Sequence, residues 1–78
     1  MKIKVLGTGC AKCKSLEKVT KEVVSELGLD ATVVKVEDIA EIMEAGVMIT
    51  PALLVDEKLI VSGYVPSNKE MKNLLTNL

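Results

Sequence analysis

The sequence predicts an α/β fold in which a four-stranded mixed sheet is flanked by three helices, in the order β-α-β-α-β-β-α. Short β-branched segments alternate with segments whose apolar residues recur at helical spacing, and two late apolar runs are separated by a short polar segment. A chain of 78 residues has room for one hydrophobic core, so we expect a single domain over residues 1–78.

The first half of the chain predicts a strand, a helix and a second strand. Residues 2–6 alternate lysine with apolar residues and end at a Gly-Thr-Gly turn. Residues 11–27 have a helical apolar period, Gly28 is the expected C-cap, and residues 31–36 are again β-branched. A helical crossover makes the two strands parallel. Because of the alternating lysines, we expect one face of the first strand to be partly wet.

The middle of the chain predicts a short helix followed by a hairpin. Asp38 and Glu41 form a capping-box pattern at the start of the helix, and Gly46 ends it. The apolar runs 52–55 and 59–62 flank a polar Asp-Glu-Lys segment, which is typical of a β-hairpin.

The last segment predicts a helix that packs on the sheet. Pro66 precedes Ser67, and Glu70 follows three residues later, which again indicates a capped helix start. Its expected apolar face consists of Met71, Leu74, Leu75 and Leu78.

Composition excludes several classes of function. The net charge of −1 leaves no basic stripe for nucleic acid, and Tyr64 alone cannot form a stacking platform for single strands. The first residues lack the apolar core and cleavage site of a signal peptide, and no segment is long enough to span a membrane. We therefore expect a cytoplasmic protein, and we expect it to be a monomer because only a generic sheet edge is exposed.

Cys10 and Cys13 carry the chemistry. They stand three residues apart at a predicted helix N-terminus, so both sulfurs fall on one face of the first turn. The free N–H groups of that turn and the helix dipole favour the thiolate, and Lys12 and Lys14 add positive charge. In a reducing compartment, such a pair indicates thiol–disulfide exchange rather than a structural staple. Cys10 is the expected nucleophile and Cys13 the resolving thiol, without metal or organic cofactor.

Pro51 is a second informative residue. Proline cannot donate to a sheet ladder, so it belongs at the start of a strand, where a cis bond to Thr50 is compatible with the pattern.

Three features of the sequence resemble the thioredoxin and glutaredoxin superfamily. They are the Cys-x-x-Cys at the first strand–helix junction, the segment Met-Ile-Thr-Pro-Ala-Leu-Leu-Val at 48–55, and Gly63 after the hairpin. Over nearly the whole chain the sequence is most similar to the small redox-active disulfide proteins of archaea and bacteria. The resemblance implies that Cys10 attacks, Cys13 resolves and Pro51 is a cis-proline beside which Thr50 binds substrate backbone. It also implies protein disulfide substrates and a reductase partner.

The sequence departs from thioredoxins around the cysteines. Gly9 stands where thioredoxins have an aromatic residue, and Ala-Lys replaces Gly-Pro between the cysteines. Residues 2–6 contain no acid to serve as a buried proton acceptor for Cys13.

Two other classes of function remain open at this stage. The same cysteines could bind a soft ion such as Cu(I), as in copper-chaperone domains, although those end on a strand. Zinc would require further ligands, for example from a dimer, because the chain has no histidine. A non-catalytic interaction domain is the third class, which the intact cysteine pair disfavours.

Overall fold

The computed structural model describes residues 1–9 and 11–77. The elements are β1 (Lys2–Leu6), α1 (Ala11–Leu27), β2 (Thr32–Val36), α2 (Ile39–Glu44), β3 (Ala52–Val55), β4 (Lys58–Ser62) and α3 (Asn68–Thr76). The predicted order of elements and the predicted α/β class are confirmed.

The four strands form one mixed sheet in the order β2-β1-β3-β4. β1 runs parallel to β2 and antiparallel to β3, and β3 pairs with β4 as a hairpin. Leu6, the last residue of β1, lies opposite both Val36 and Ala52. The ends of β1 and β2 and the start of β3 therefore meet at one edge of the sheet.

One face of the sheet is sealed by α1 and α3. Alternate residues of the central strands point to this face, where they pack against the apolar stripes of the two helices. We call this the sealed face. Its buried cluster consists of Ile3, Val5, Leu16, Val23, Leu53, Val55, Val61, Met71 and Leu75.

The opposite face is covered at one end only, by the six residues of α2. A smaller cluster lies under this helix, formed by Leu6, Ile42, Val47, Ala52 and Leu54. Toward the other end of the same face, Lys2 is exposed and Lys4 is half-buried. The predicted wet face of β1 is confirmed, and we call this side of the sheet the open face.

Helix ends agree with the capping signals. The Asp38 carboxylate accepts a hydrogen bond from Ala40 N at 2.8 Å, and the Ser67 hydroxyl accepts one from Glu70 N at 3.1 Å. Gly28 follows α1 with a positive φ of 62°, as its predicted C-cap role requires. Leu78, predicted on the apolar face of α3, lies outside the described residues.

The hairpin loop is shorter than predicted. Asp56 and Glu57 both have positive φ, which makes a two-residue turn whose twist matches the strands. β4 therefore begins at Lys58 rather than Leu59. The turn is tied to β1 because Lys2 N donates to the Asp56 carboxylate and Asp56 N donates to Lys2 O, both at 2.8 Å.

Among the residues that the structure describes, there is no helix with the length and apolar character needed to cross a membrane.

Candidate functional site

Of the predicted site residues, the described ones (Cys13, Thr50 and Pro51) lie at the sheet edge where β1 and β2 end and β3 begins. Leu6 is the partner of Ala52, so Gly7 and Pro51, one residue beyond each, are neighbours across the strand pair. Gly7 N also donates to Val36 O at 2.9 Å, which ties the start of the cysteine loop to β2. Backbone hydrogen bonds and strand pairing therefore hold this edge of the sheet together.

Cys13 lies in the first turn of α1 and is 2% exposed. A β-carbon placed on Gly7 would overlap the Cys13 sulfur and would come within 3.0 Å of its Cβ. The same position is 4.0 Å from Pro51 Cα. Cys13, Gly7 and Pro51 therefore share one tightly packed spot, and the glycine leaves the space that the sulfur fills.

Cys10, the predicted nucleophile, lies outside the described residues. The residues around it in sequence are described: Gly9 has a positive φ of 87°, and α1 begins at Ala11. The first turn of α1 carries no acidic residue, and Lys12 and Lys14 are exposed. The start of α1 therefore carries the positive charge predicted from Lys12 and Lys14.

The Thr50–Pro51 peptide bond is cis. Pro51 is buried, whereas Thr50 is exposed. The main chain on both sides of Thr50 is held by β4 and the residue after it: Ser62 Oγ donates to Ile49 O at 3.2 Å, and Gly63 N donates to Pro51 O at 2.8 Å. Thr50 is thereby presented at the surface by an anchored segment.

The surface next to this segment is apolar. Met48 is 94% exposed and Ile49 is 61% exposed. Ile49 also packs on Gly63, because a β-carbon there would be 2.9 Å from Ile49 Cγ2. Exposed apolar side chains beside a candidate functional site are suited to contact with a partner protein.

Two residues of the site were not identified from the sequence. The sequence pattern around Gly7 predicts only a turn, although a glycine directly after a buried strand and before the cysteines is a signal of close approach. No local sequence pattern indicates that Glu37 belongs to the site, because its contact with the cysteine loop depends on the pairing of β1 with β2. One of its carboxylate oxygens, Oε2, lies 3.0 Å from where a β-carbon on Gly9 would be.

Within residues 1–9 and 11–77, no three histidine, cysteine, aspartate or glutamate side chains are grouped as metal ligands. The last element of the described chain is the helix α3 rather than a strand. This order differs from the β-α-β-β-α-β order of copper-chaperone domains, so the fold does not favour the metal-binding alternative.

Sequence comparisons agree with the geometry. The family model described as "Thioredoxin domain" matches residues 1–76. A thioredoxin of Methanothermobacter thermautotrophicus is 46% identical over 76 residues, which are 97% of this chain and 99% of that protein. A thioredoxin of Methanocaldococcus jannaschii is 42% identical over 73 residues, 94% of this chain and 84% of the relative. Because the likeness extends over nearly the full length at this identity, the chain belongs to the thioredoxin domain family.

Proposed function

We propose that this protein is a thiol–disulfide oxidoreductase that exchanges disulfides with protein substrates through Cys10 and Cys13. The observation that carries the proposal is the buried Cys13 sulfur, packed against Gly7 beside the cis-proline, in a chain of the thioredoxin domain family. A buried second thiol is protected from outside disulfides and can reach only a partner already attached at the first.

The reaction has two exchange steps. The Cys10 thiolate attacks one sulfur of a substrate disulfide, forms a mixed disulfide and releases the other substrate sulfur as a thiolate. Cys13, having given up its proton, attacks the Cys10 sulfur and releases the second substrate thiolate. Two electrons pass to the substrate, which ends as a dithiol after taking up two protons, and the protein ends with a Cys10–Cys13 disulfide. A reductase or small thiol then returns the two electrons.

The substrate segment is proposed to lie against Thr50. Its exposed position between two anchored carbonyl groups supports a role in pairing with an extended chain. Met48 and Ile49 supply apolar contact area next to that chain.

The test uses single cysteine variants and a protein disulfide. Cys10→Ser should abolish reduction, whereas Cys13→Ser should accumulate a mixed disulfide with the substrate, observed by non-reducing mass spectrometry. Circular dichroism of both variants controls for folding. If Cys13→Ser turned over like the wild type, the two-cysteine mechanism would be wrong.

A redox titration provides the second measurement. The wild-type pair should form a reversible intramolecular disulfide with a potential near about −270 mV, as in thioredoxins. Failure to form that disulfide, together with near-stoichiometric Cu(I) binding against a thiol chelator, would instead support metal binding.

A further inference from the structure

Glu37 is a charged residue at the candidate site that the exchange mechanism does not use. It follows β2, and its Oε2 lies 3.0 Å from the position of a β-carbon on Gly9. Gly9 immediately precedes Cys10 in the sequence. The carboxylate is thus in contact range of the main chain that leads into the nucleophile.

The main chain fixes this placement. Parallel pairing sets Leu6 opposite Val36, and Gly7 N donates to Val36 O at 2.9 Å. Both strands therefore deliver their next residues to the same sheet edge. Glu37 and the cysteine loop are brought together by backbone pairing and not by a flexible side-chain contact alone.

Glu37 has charged neighbours on the strand before it and at the start of the next helix, and the cysteine loop leads into a helix whose first turn carries two lysines. Lys35 of β2 is 3.8 Å from its other carboxylate oxygen, a long contact between partly exposed side chains. Lys12 and Lys14 are exposed on the first turn of α1. Asp38, at the start of α2, is occupied as the N-cap of that helix.

We propose that Glu37 is a positioning residue that acts through Cys10, opposing its thiolate and biasing the cysteine pair toward giving up electrons. This inference rests on the proposed disulfide exchange. A nearby negative charge disfavours a second one, so it counteracts Lys12, Lys14 and the helix N-terminus. At pH values where Cys10 is ionised, the Glu37 charge destabilises the reduced form of the cysteine pair. The pair is then a stronger reductant for a two-electron transfer to a substrate disulfide.

The first experiment measures the pKa of the Cys10 thiol from the rate of its alkylation as a function of pH. The modified peptide is quantified by mass spectrometry. Glu37→Gln keeps the side-chain shape and removes the charge, and it should lower the Cys10 pKa by about 0.5, the size expected for one solvent-exposed charge that contacts the preceding residue, Gly9. Glu37→Lys should lower it by about 1. Both differences should shrink in 1 M salt, where the Debye length is roughly 3 Å.

Glu22→Gln is the matched control. Glu22 is an exposed carboxylate in the middle of α1, and about 16 Å of helix separates it from the start of that helix. That distance exceeds the roughly 10 Å Debye length at 0.1 M salt, so its removal should leave the Cys10 pKa unchanged.

The second experiment measures the redox equilibrium with glutathione at two pH values. At pH 9, Glu37→Gln should favour the dithiol about threefold relative to the wild type, which corresponds to a potential about 14 mV less negative. At a pH well below the Cys10 pKa found in the first experiment, where the thiol is protonated in both proteins, the two potentials should coincide. A purely structural effect of the substitution would persist at both pH values.

An unchanged Cys10 pKa in both Glu37 variants would overturn the inference, as would a redox difference of equal size at the two pH values. Failure of the wild type to reduce any disulfide would overturn the proposed function instead. The alkylation comparison would still decide whether Glu37 acts on the thiol, because it requires only a reactive Cys10.

Discussion

The two faces of the sheet differ in how completely they are covered. The sealed face lies under α1, of 17 residues, and α3, of nine, whereas the open face carries only the six residues of α2. The uncovered part of the open face is a groove of about 500 Å³ lined by lysine, glutamate and aliphatic side chains. Cys13 belongs to a helix of the sealed face. The chain therefore concentrates its packing on the face that positions Cys13.

The pattern of β1 reflects this division. Ile3 and Val5 point to the sealed face and are fully buried, while Lys2 and Lys4 point to the groove. A strand of a fully covered sheet would be apolar on both sides. The long lysine stems can cover part of the aliphatic groove floor while their charges stay in water.

A matched pair of leucines tests whether the two faces of the sheet differ in packing. Leu53 and Leu54 are consecutive in β3, point to opposite faces and are 0% and 3% exposed. Leu53→Ala should lower the free energy of unfolding by about 3–5 kcal/mol, because its rigid surroundings would keep a cavity. Leu54→Ala should cost about 2–3 kcal/mol, because water and side chains of the groove can occupy the space.

Urea unfolding of both variants measures the difference. Equal losses would show that α2 seals its end of the open face as firmly as α1 and α3 seal the other. The contrast between the faces would then be limited to the groove itself.

Adding a single carbon on each face should produce a smaller difference in the free energy of unfolding. Gly7→Ala places a methyl group where the Cys13 sulfur lies, so it should cost about 1–3 kcal/mol and slow substrate reduction by displacing Cys13. Val34→Ile adds one carbon to a residue that lines the groove, and it should change stability by less than about 0.5 kcal/mol.

A double-mutant cycle isolates the contact at Gly7. In a Cys13→Ala background the sulfur is absent, so the cost of Gly7→Ala should fall by at least about 0.5 kcal/mol. An undiminished cost would mean that the new methyl group strains the main chain rather than meeting the sulfur.

Most of the fold could be predicted from local sequence, because its signals act over a few residues. The bounds of α1 follow from its apolar period and from Gly28, and the starts of α2 and α3 follow from Asp38 and Ser67. The hairpin loop was predicted one residue too long because Asp56 and Glu57 adopt positive φ, which residues other than glycine seldom do.

The candidate site was less predictable because its contacts are long-range. The cysteine spacing predicts a reactive pair, but the role of Gly7 depends on where α1 packs after the chain turns. Glu37 meets Gly9 only because β1 and β2 pair in a particular register. No local pattern specifies such a contact, so it requires the three-dimensional structure.

The smallest expected effect concerns the ion pair at the rim of the open face. Lys4 Nζ donates to Glu57 Oε1 at 2.7 Å, and this hydrogen bond, followed by the charge of Lys4, holds the pKa of Glu57 below its ordinary value of 4.5. The folded state therefore binds that proton less readily than the unfolded chain. The resulting stabilisation is present above pH 4.5 and is lost as the pH falls through the lower folded pKa.

NMR titration of the Glu57 carboxyl group measures this directly. The wild type should titrate below 4.5, and Lys4→Met should return the Glu57 pKa toward that value because donor and charge are both removed. Glu57→Gln should lower stability slightly at pH 7, and the loss should diminish as the pH falls through the lowered Glu57 pKa or in 1 M salt, since the Glu57 side chain is exposed to solvent. A loss of stability on Glu57→Gln that did not diminish as the pH was lowered would instead assign the Glu57 side chain a packing role in the turn.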